Sequence, residues 1–279
     1  MTSTAEWLQN LWDRAPKDVV KLRLTMPFHE ENKYVSATFD PGKYKHIELL
    51  ALTDVQFGHK ACQINRFLEF RDWLLSKPNR FGLFLGDMVD AATVLSVGSP
   101  YENDGEPQSQ AYEFAKIAMP MRHRILGYVG GNHERRSVKT FGDLGKLLAT
   151  MLRVPYSSGK MLLDIHYGQH KPFKNSLWHG GTGSRTKGAK AQMLHRWMSQ
   201  GDSQMYWVGH LHDAMVLFDW RTARRDGGTI QLEKVAGVMS SSFLDHWGTY
   251  AEVAGMAPSD TMMGRVILEP SGKWELTLR

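Results

Sequence analysis

Five apolar segments of this chain each end in side chains that can bind a metal ion. These side chains are Asp54 and Gln56, Asp87 and Asp90, Asn132 and His133, His179, and finally His210 and His212. In α/β folds, ligands gather at the edge where the carboxyl ends of strands meet, so residues that are distant in sequence can converge there. This pattern predicts a sheet with one polar edge that carries a common site.

The order of the segments predicts a layered α/β domain. Apolar strand patterns end near residues 53, 87 and 132, and helical spacing follows at 64–75, 109–118 and 141–152. Further on, a helix is predicted at 188–200, and strands at 204–210, 214–220, 229–236 and 264–278. Strand–helix alternation followed by consecutive strands indicates a single α/β domain with a mixed sheet or sheets.

The first 45 residues follow a different pattern. An amphipathic helix is predicted at 4–13, with Trp7, Leu8, Leu11 and Trp12 on one stripe, and residues 18–45 are predicted to be irregular or extended. The segment lacks the basic start and apolar stretch of a secretory signal. A single cysteine, Cys62, excludes an internal disulfide and favours a reducing compartment. Because no apolar run reaches the roughly 18 residues of a membrane helix, we expect a cytoplasmic protein without a membrane partner.

Each of the five segments also has an ordinary explanation. A lone "GDMVD" is usually a turn at a strand end, in which Asp87 caps a helix. A lone "GHLH" is more often a chance pair than a pair of ligands, and a lone His179 favours a structural role still more. Five such segments, each after an apolar strand and most with a neighbouring glycine, favour a functional site instead.

In this order the segments resemble the calcineurin-like metallophosphoesterase superfamily. Its pattern is Asp-x-His, Gly-Asp-x-x-Asp, Gly-Asn-His-Asp/Glu, a lone His and Gly-His-x-His. The chain contains "DVQ" (54–56), "GDMVD" (86–90), "GNHE" (131–134), a single His179 and "GHLH" (209–212). The resemblance spans about residues 46–279, with residues 1–45 packed on that domain. It implies a four-layer α/β/β/α sandwich, two mixed sheets flanked by helices, with two metal ions at one end.

The resemblance also implies roles for individual residues. Asp87 would bridge the two metals, and His133 would protonate the leaving oxygen while Asp90 orients it. The remaining ligands form two groups: Asp54, Gln56 and His212 for one metal, and Asn132, His179 and His210 for the other. Two cations about 3.5–4 Å apart can neutralise a phosphate ester and generate hydroxide. Mixed nitrogen and oxygen ligands suit Mn²⁺ above all, with Fe, Zn²⁺ or Mg²⁺ as alternatives.

The first motif departs from the family, because Gln56 stands where the family has histidine. Its amide oxygen is a weaker donor than imidazole and favours Mn²⁺ or Mg²⁺ over Zn²⁺. His59 lies beyond Gly58 and could supply the missing imidazole or contact substrate. We favour Gln56 as the ligand, since a strand would point it the same way as Asp54 whereas His59 needs a bend.

Basic residues beside the motifs indicate an anionic substrate. Arg135 and Arg136 follow "GNHE", while Arg185, Lys187 and Lys190 follow His179. Together with the net charge of +5, they favour a polyanionic substrate such as nucleic acid or a nucleotide. We therefore expect a phosphodiesterase that resembles the nuclease branch of the family or its small phage- or bacterium-type enzymes. The alternatives are a phosphomonoesterase acting on phosphoprotein or small phosphate esters, and a non-catalytic binding scaffold of the same fold.

Overall fold

The fold is described from a computed structural model of the chain. It describes residues 21–24, 30–93, 96, 100–139, 142–168, 171–181, 183, 185–224, 228–249, 252, 255 and 258–279. The helix predicted at 4–13 therefore lies outside the described residues.

A six-stranded mixed sheet carries the first three motifs. Its strands lie in the order β13, β12, β3, β4, β5, β6. The bounds are β3 Ile47–Leu52, β4 Arg80–Phe84, β5 Ile125–Val129, β6 Tyr156–Ser157, β12 Gly264–Leu268 and β13 Trp274–Leu278. Strands β3 to β6 are parallel neighbours, so their carboxyl ends meet at one edge of the sheet.

A seven-stranded mixed sheet carries the last two motifs. Its strands lie in the order β1, β2, β7, β8, β9, β11, β10. The bounds are β1 Lys21–Leu24, β2 Tyr34–Phe39, β7 Lys160–Tyr167, β8 Phe173–Trp178, β9 Met205–Val208, β10 Met215–Arg224 and β11 Ile230–Met239. The expectation of an irregular or extended segment at 18–45 missed strands β1 and β2. Strands β8, β9 and β11 run parallel, which brings His179 and the segment after β9 to one edge.

Helices cover the outer faces of both sheets. They are α1 Ile64–Leu75, α2 Pro107–Ala118, α3 Asn132–Arg136, α4 Leu144–Leu152 and α5 Lys187–Met198. A core cluster that includes Leu50 and Leu52 joins the six-stranded sheet to α1, α2 and α4. A second cluster joins the seven-stranded sheet to α5 through residues such as Leu194 and Val235. None of the helices among the described residues combines the length and the apolar character needed to cross a membrane.

Side chains of β3 point alternately to the two faces of the six-stranded sheet and so contribute to two separate cores. All six residues of β3 are buried, since helices cover one face and the other sheet covers the opposite face. Ile47, Leu49 and Ala51 belong to the cluster between the sheets, and Leu50 and Leu52 point to the helices, as the two-residue period of a strand requires. The two mixed sheets with their flanking helices make the predicted α/β/β/α sandwich.

Candidate metal centre

Most of the predicted metal ligands lie on strained loops just beyond strand ends. Among the described residues, seven non-glycine residues have positive φ, and five of these seven are predicted ligands. The five are Asp54, Gln56, Asp87, His210 and His212. A left-handed backbone costs free energy for residues other than glycine, and such strain concentrates at functional sites.

Asp54 is fully buried, and its two carboxylate oxygens have different surroundings. Oδ2 accepts hydrogen bonds from Thr53 Oγ1 at 2.6 Å and from the His210 backbone N–H at 2.8 Å. Oδ1 has no hydrogen-bond partner within the part of the chain that the structure describes. His212 Nε2 nevertheless lies 3.2 Å from Oδ1. An imidazole nitrogen and a carboxylate oxygen, both of which can bind a metal ion, thus lie side by side.

Gln56 is also fully buried and adjoins the same histidine. Its Nε2 lies 3.3 Å from His212 Nε2 and 3.4 Å from His133 Nε2, while Oε1 has no hydrogen-bond partner among the described residues. A half-turn of the amide would exchange its two ends and present Oε1 to His212. Strand geometry does not orient this side chain, contrary to the expectation, because β3 ends at Leu52 and both Asp54 and Gln56 adopt φ near 50°.

A second group of ligand atoms surrounds Asp87. Single ligand atoms of Asp87, His179 and His210 all lie within 4.8 Å of one another. His179 Nε2 is 3.1 Å from Asp87 Oδ2 and 2.9 Å from Asn132 Oδ1. His179 Nδ1 donates to the Leu85 carbonyl at 2.6 Å, and this bond directs Nε2 towards the group, as a backbone carbonyl commonly does for a metal-bound imidazole.

The buried carboxylate of Asp87 attracts positive charge. Burial alone would raise the pKa of Asp87, but the nearby His133 and His179 hold it well below its usual value. Burial alone would lower the pKa of His179, but the Asp87 carboxylate outweighs burial and raises it to about 10. In the metal-free protein, His179 is therefore protonated, and its positive charge balances the negative charge of the Asp87 carboxylate.

The donor set fits divalent cations. Buried oxygens without hydrogen-bond partners are expensive, and those of Asp54 and Gln56 would be satisfied by a cation. The seven side chains comprise carboxylates, amides and imidazoles, which are ligands of Mn²⁺, Fe and Zn²⁺. All seven predicted ligands are brought together at this one edge of the sandwich.

Proton competition at His179 makes metal binding depend on pH. Since the pKa of His179 is about 10, a divalent cation such as Mn²⁺ that bound Nε2 would have to displace its proton at neutral pH, and its apparent affinity should rise up to about tenfold per pH unit. Calorimetric titration at pH 7 in buffers of different ionisation enthalpy should detect proton release on binding. His195→Ala, which removes an exposed histidine on α5, should show the same release. Binding without proton release would contradict the proposed ligand role of His179.

The identity of the ligand in the first motif is tested by three variants. Gln56→His should increase the affinity for the Mn²⁺ ion beside Asp54 and His212 by roughly tenfold or more, since imidazole is a stronger donor than an amide oxygen. His59→Ala should still bind two ions at saturating Mn²⁺. Equilibrium titration with metal analysis gives the stoichiometry of both variants and of Gln56→Ala. If His59→Ala lost one ion while Gln56→Ala retained both, His59 would be the ligand.

His133 lies between the predicted metal ligands and a polar network. Its Nδ1 is 2.8 Å from Asp90 Oδ1 and 3.0 Å from the Asp90 carbonyl, and Asn103 Nδ2 donates to Asp90 Oδ2 at 2.7 Å. Arg136 Nη2 lies 3.0 Å from His133 Nε2. Because arginine can only donate, Nε2 accepts a hydrogen bond in this arrangement. Nδ1 therefore carries the ring proton and donates it in a hydrogen bond to Asp90.

The turn that holds Asp87 is built around Glu134, whose role the sequence did not reveal. Glu134 accepts hydrogen bonds from the backbone N–H groups of Asp87, Met88 and Gly131 and from the Tyr128 hydroxyl. At Gly86, where φ is +93°, a Cβ would lie 2.6 Å from the Gly131 nitrogen. Glycine is therefore required where the two metal-ligand turns touch.

The predicted substrate-binding residues lie in different environments. Arg135 is exposed beside the ligands, and Arg185 and Lys187 are exposed at the start of α5. His59 is buried; its Nδ1 accepts from the Ala61 N–H at 3.0 Å, and its Nε2 is 3.8 Å from Glu102. Lys190, which the sequence places among the basic residues that indicate an anionic substrate, is buried and is not part of an exposed basic face.

Lys190 is instead a buried support for the last ligand loop. Its Nζ donates to the Leu211 carbonyl at 3.0 Å and to Asp213 Oδ2 at 3.1 Å. These contacts enclose His212, so Lys190 holds the "GHLH" segment in place. Because Lys190 lies in a run of basic residues, its sequence context does not reveal that it is buried and supports this segment.

Comparison with known proteins gives structural neighbours only. No family model and no curated protein matches the chain. A metallophosphoesterase from Sphaerobacter thermophilus is 15% identical, with a TM-score of 0.40 over 84% of this chain and 87% of that one. A protein serine/threonine phosphatase from Saccharomyces cerevisiae is 11% identical, with a TM-score of 0.43 over 90% and 84%. A predicted phosphoesterase from Streptococcus pneumoniae TIGR4 is 12% identical, with a TM-score of 0.36 over 85% and 99%.

These three neighbours are distant from this chain in sequence. Their identities and TM-scores are low, so the activity of this chain has to be inferred from its own side chains.

Proposed function

We propose that this chain is a dinuclear-metal phosphodiesterase that acts on nucleic acid or nucleotides. The observation that carries the proposal is the buried donor set, in which Asp54 Oδ1 and Gln56 Oε1 lack hydrogen-bond partners among the described residues. In a scaffold without metals, His212 Nε2 carries at most one proton and could satisfy only one of these two oxygens, whereas a cation would satisfy both.

Two groups of side chains would hold the metals. The first comprises Asp54, Gln56 and His212, the second comprises Asn132, His179 and His210, and Asp87 is shared between them. Divalent ions held there would supply neutralisation of the phosphate charge and a lowered pKa for water. Mn²⁺ suits this donor set best, because amide and carboxylate oxygens complement the imidazoles.

His133 would donate a proton to the leaving oxygen from Nε2. Burial lowers the pKa of His133, but Asp87 and Asp90 outweigh burial and Arg136 and raise it above its ordinary value. A second ring proton, which donation requires, is therefore favoured once Arg136 no longer donates to Nε2. Asp90 fixes the ring through Nδ1. For the transfer, the Arg136 guanidinium has to leave Nε2, and an anionic phosphate is its natural new partner.

The charge around the site supports an anionic, extended substrate. Arg135, Arg185 and Lys187 are exposed, and the chain carries a net charge of +5. Cations that track a phosphate backbone supply affinity independent of sequence.

A panel of three substrates with Mn²⁺ tests the proposal. Single-stranded DNA and bis-p-nitrophenyl phosphate should be hydrolysed, and p-nitrophenyl phosphate should be hydrolysed more slowly. Preference for p-nitrophenyl phosphate would indicate a phosphomonoesterase instead. No hydrolysis of any substrate by protein that binds two ions would indicate a non-catalytic scaffold.

A further inference from the structure

A cavity of about 280 Å³ opens beside the second group of ligands. Asn132 and His179 form part of its wall, so the cavity is continuous with the candidate metal centre. Its volume is close to the lower end of the roughly 300–1,000 Å³ typical of small-molecule sites. Whatever is bonded to a phosphate held at that centre can extend into it.

The lining of the cavity is cationic. Arg135 and Arg136 line it, and no carboxylate occurs among the described residues of its wall. Lys160 adds a third positive charge nearby, because its Nζ lies 4.9 Å from the centre of the Trp178 ring that also lines the cavity. A cavity lined by one sign of charge concentrates ligands of the opposite sign.

The two arginines differ in their availability. Arg136 is engaged with His133 Nε2 at 3.0 Å and approaches the Asp90 carbonyl at 3.4 Å. The Arg135 side chain has no hydrogen bond or ion pair among the described residues. Within the part of the chain that the structure describes, Arg135 is thus a guanidinium without a partner on the wall of a cavity that adjoins the candidate metal centre.

The remaining wall consists of one tryptophan ring, a serine and glycine backbone. Trp178 packs against Trp197 with ring centres 5.2 Å apart, and Gly130, Gly159 and Gly180 line the cavity without side chains. Backbone at these positions leaves room for a bulky group such as a sugar with its phosphate.

We propose that this cavity binds a second phosphate of the substrate, next to the one that is cleaved, and that Arg135 is the residue that selects for it. The inference rests on the proposed phosphodiesterase function and narrows its substrate class to nucleotides and oligonucleotides with adjacent phosphates. A guanidinium binds phosphate in a bidentate manner. A singly phosphorylated peptide or a simple diester offers no second phosphate for it.

Two substrates that differ only in the second phosphate test the inference. Thymidine 5′-(p-nitrophenyl phosphate) and its 3′-phosphorylated form share the same scissile bond and leaving group. With Mn²⁺, the wild-type protein should prefer the 3′-phosphorylated form by about tenfold or more in kcat/KM, mainly through KM, because hydrogen bonds to charged groups are strong. Arg135→Ala should reduce the preference to nearly one, and Arg135→Lys should retain part of it.

Lys139→Ala is the matched control, since it removes an exposed positive charge four residues away that does not line the cavity. It should keep the full preference. Calorimetry provides a second measure: thymidine 3′,5′-bisphosphate should bind more tightly than thymidine 5′-monophosphate, and Arg135→Ala should remove the difference.

Failure of the inference differs from failure of the proposed function. If the wild-type protein hydrolysed both substrates equally well, or if Arg135→Ala kept the preference, the second-phosphate site would be refuted and the phosphodiesterase would remain. If it hydrolysed neither substrate while binding two Mn²⁺ ions, the proposed function would fail and the inference with it.

Discussion

Asp87→Asn should lower kcat/KM for bis-p-nitrophenyl phosphate by at least about 10³-fold, because a bound metal supplies several kcal/mol to the transition state and each 1.4 kcal/mol is a factor of ten. The variant keeps the size of the side chain but removes the charge that lies 3.1 Å from His179 Nε2. Metal analysis should find fewer than two ions per chain, and circular dichroism should remain unchanged.

Asp72→Asn provides the control for this prediction, since Asp72 is an exposed aspartate on α1. It should retain both ions and full activity. Retention of two ions and near wild-type activity by Asp87→Asn would show that Asp87 is not a shared ligand.

His133→Ala should keep both metal ions and still lose about 10²–10⁴-fold in kcat on substrates with poor leaving groups, which is the usual contribution of a general acid. Good leaving groups such as p-nitrophenolate need less protonation, so their rates should fall less. The comparison of DNA with bis-p-nitrophenyl phosphate measures this difference. Wild-type turnover of DNA by His133→Ala would refute the assignment.

A control variant shows whether the loss of activity is specific to His133 or follows from the removal of any histidine. His195→Ala removes an exposed histidine that contacts Asp219 at 3.2 Å, on the outer face of the seven-stranded sheet. It should behave like the wild type on both substrates.

The convergence of the site could be predicted from the sequence because it follows from the topology. Apolar runs such as 47–52 are buried on both faces, and parallel strands leave their carboxyl ends at the same edge. The order of five polar strand ends therefore sufficed to anticipate that Asp54, Asp87 and His179 lie together.

The orientation of individual side chains could not be predicted in this way. Periodicity ends where a strand ends, and Asp54 and Gln56 lie beyond β3 with left-handed backbones. Their direction is set by hydrogen bonds from distant segments, such as that from the His210 N–H to Asp54 Oδ2.

The supporting residues were missed for a related reason. Asn103 lies in a polar stretch that resembles an ordinary loop, yet its side chain donates a hydrogen bond to Asp90, thirteen residues away in sequence. Lys190 lies in a basic run, yet it is buried against Asp213. A contact between segments decides both roles, and composition does not encode such contacts.

The most direct test of the metal centre is anomalous scattering from a crystal grown with Mn²⁺. We predict two peaks in the anomalous difference map, one beside Asp54, Gln56 and His212 and the other beside Asn132, His179 and His210, with Asp87 contacting both. A map with no peak at this edge, or with one peak that Asp87 does not contact, would contradict the dinuclear centre.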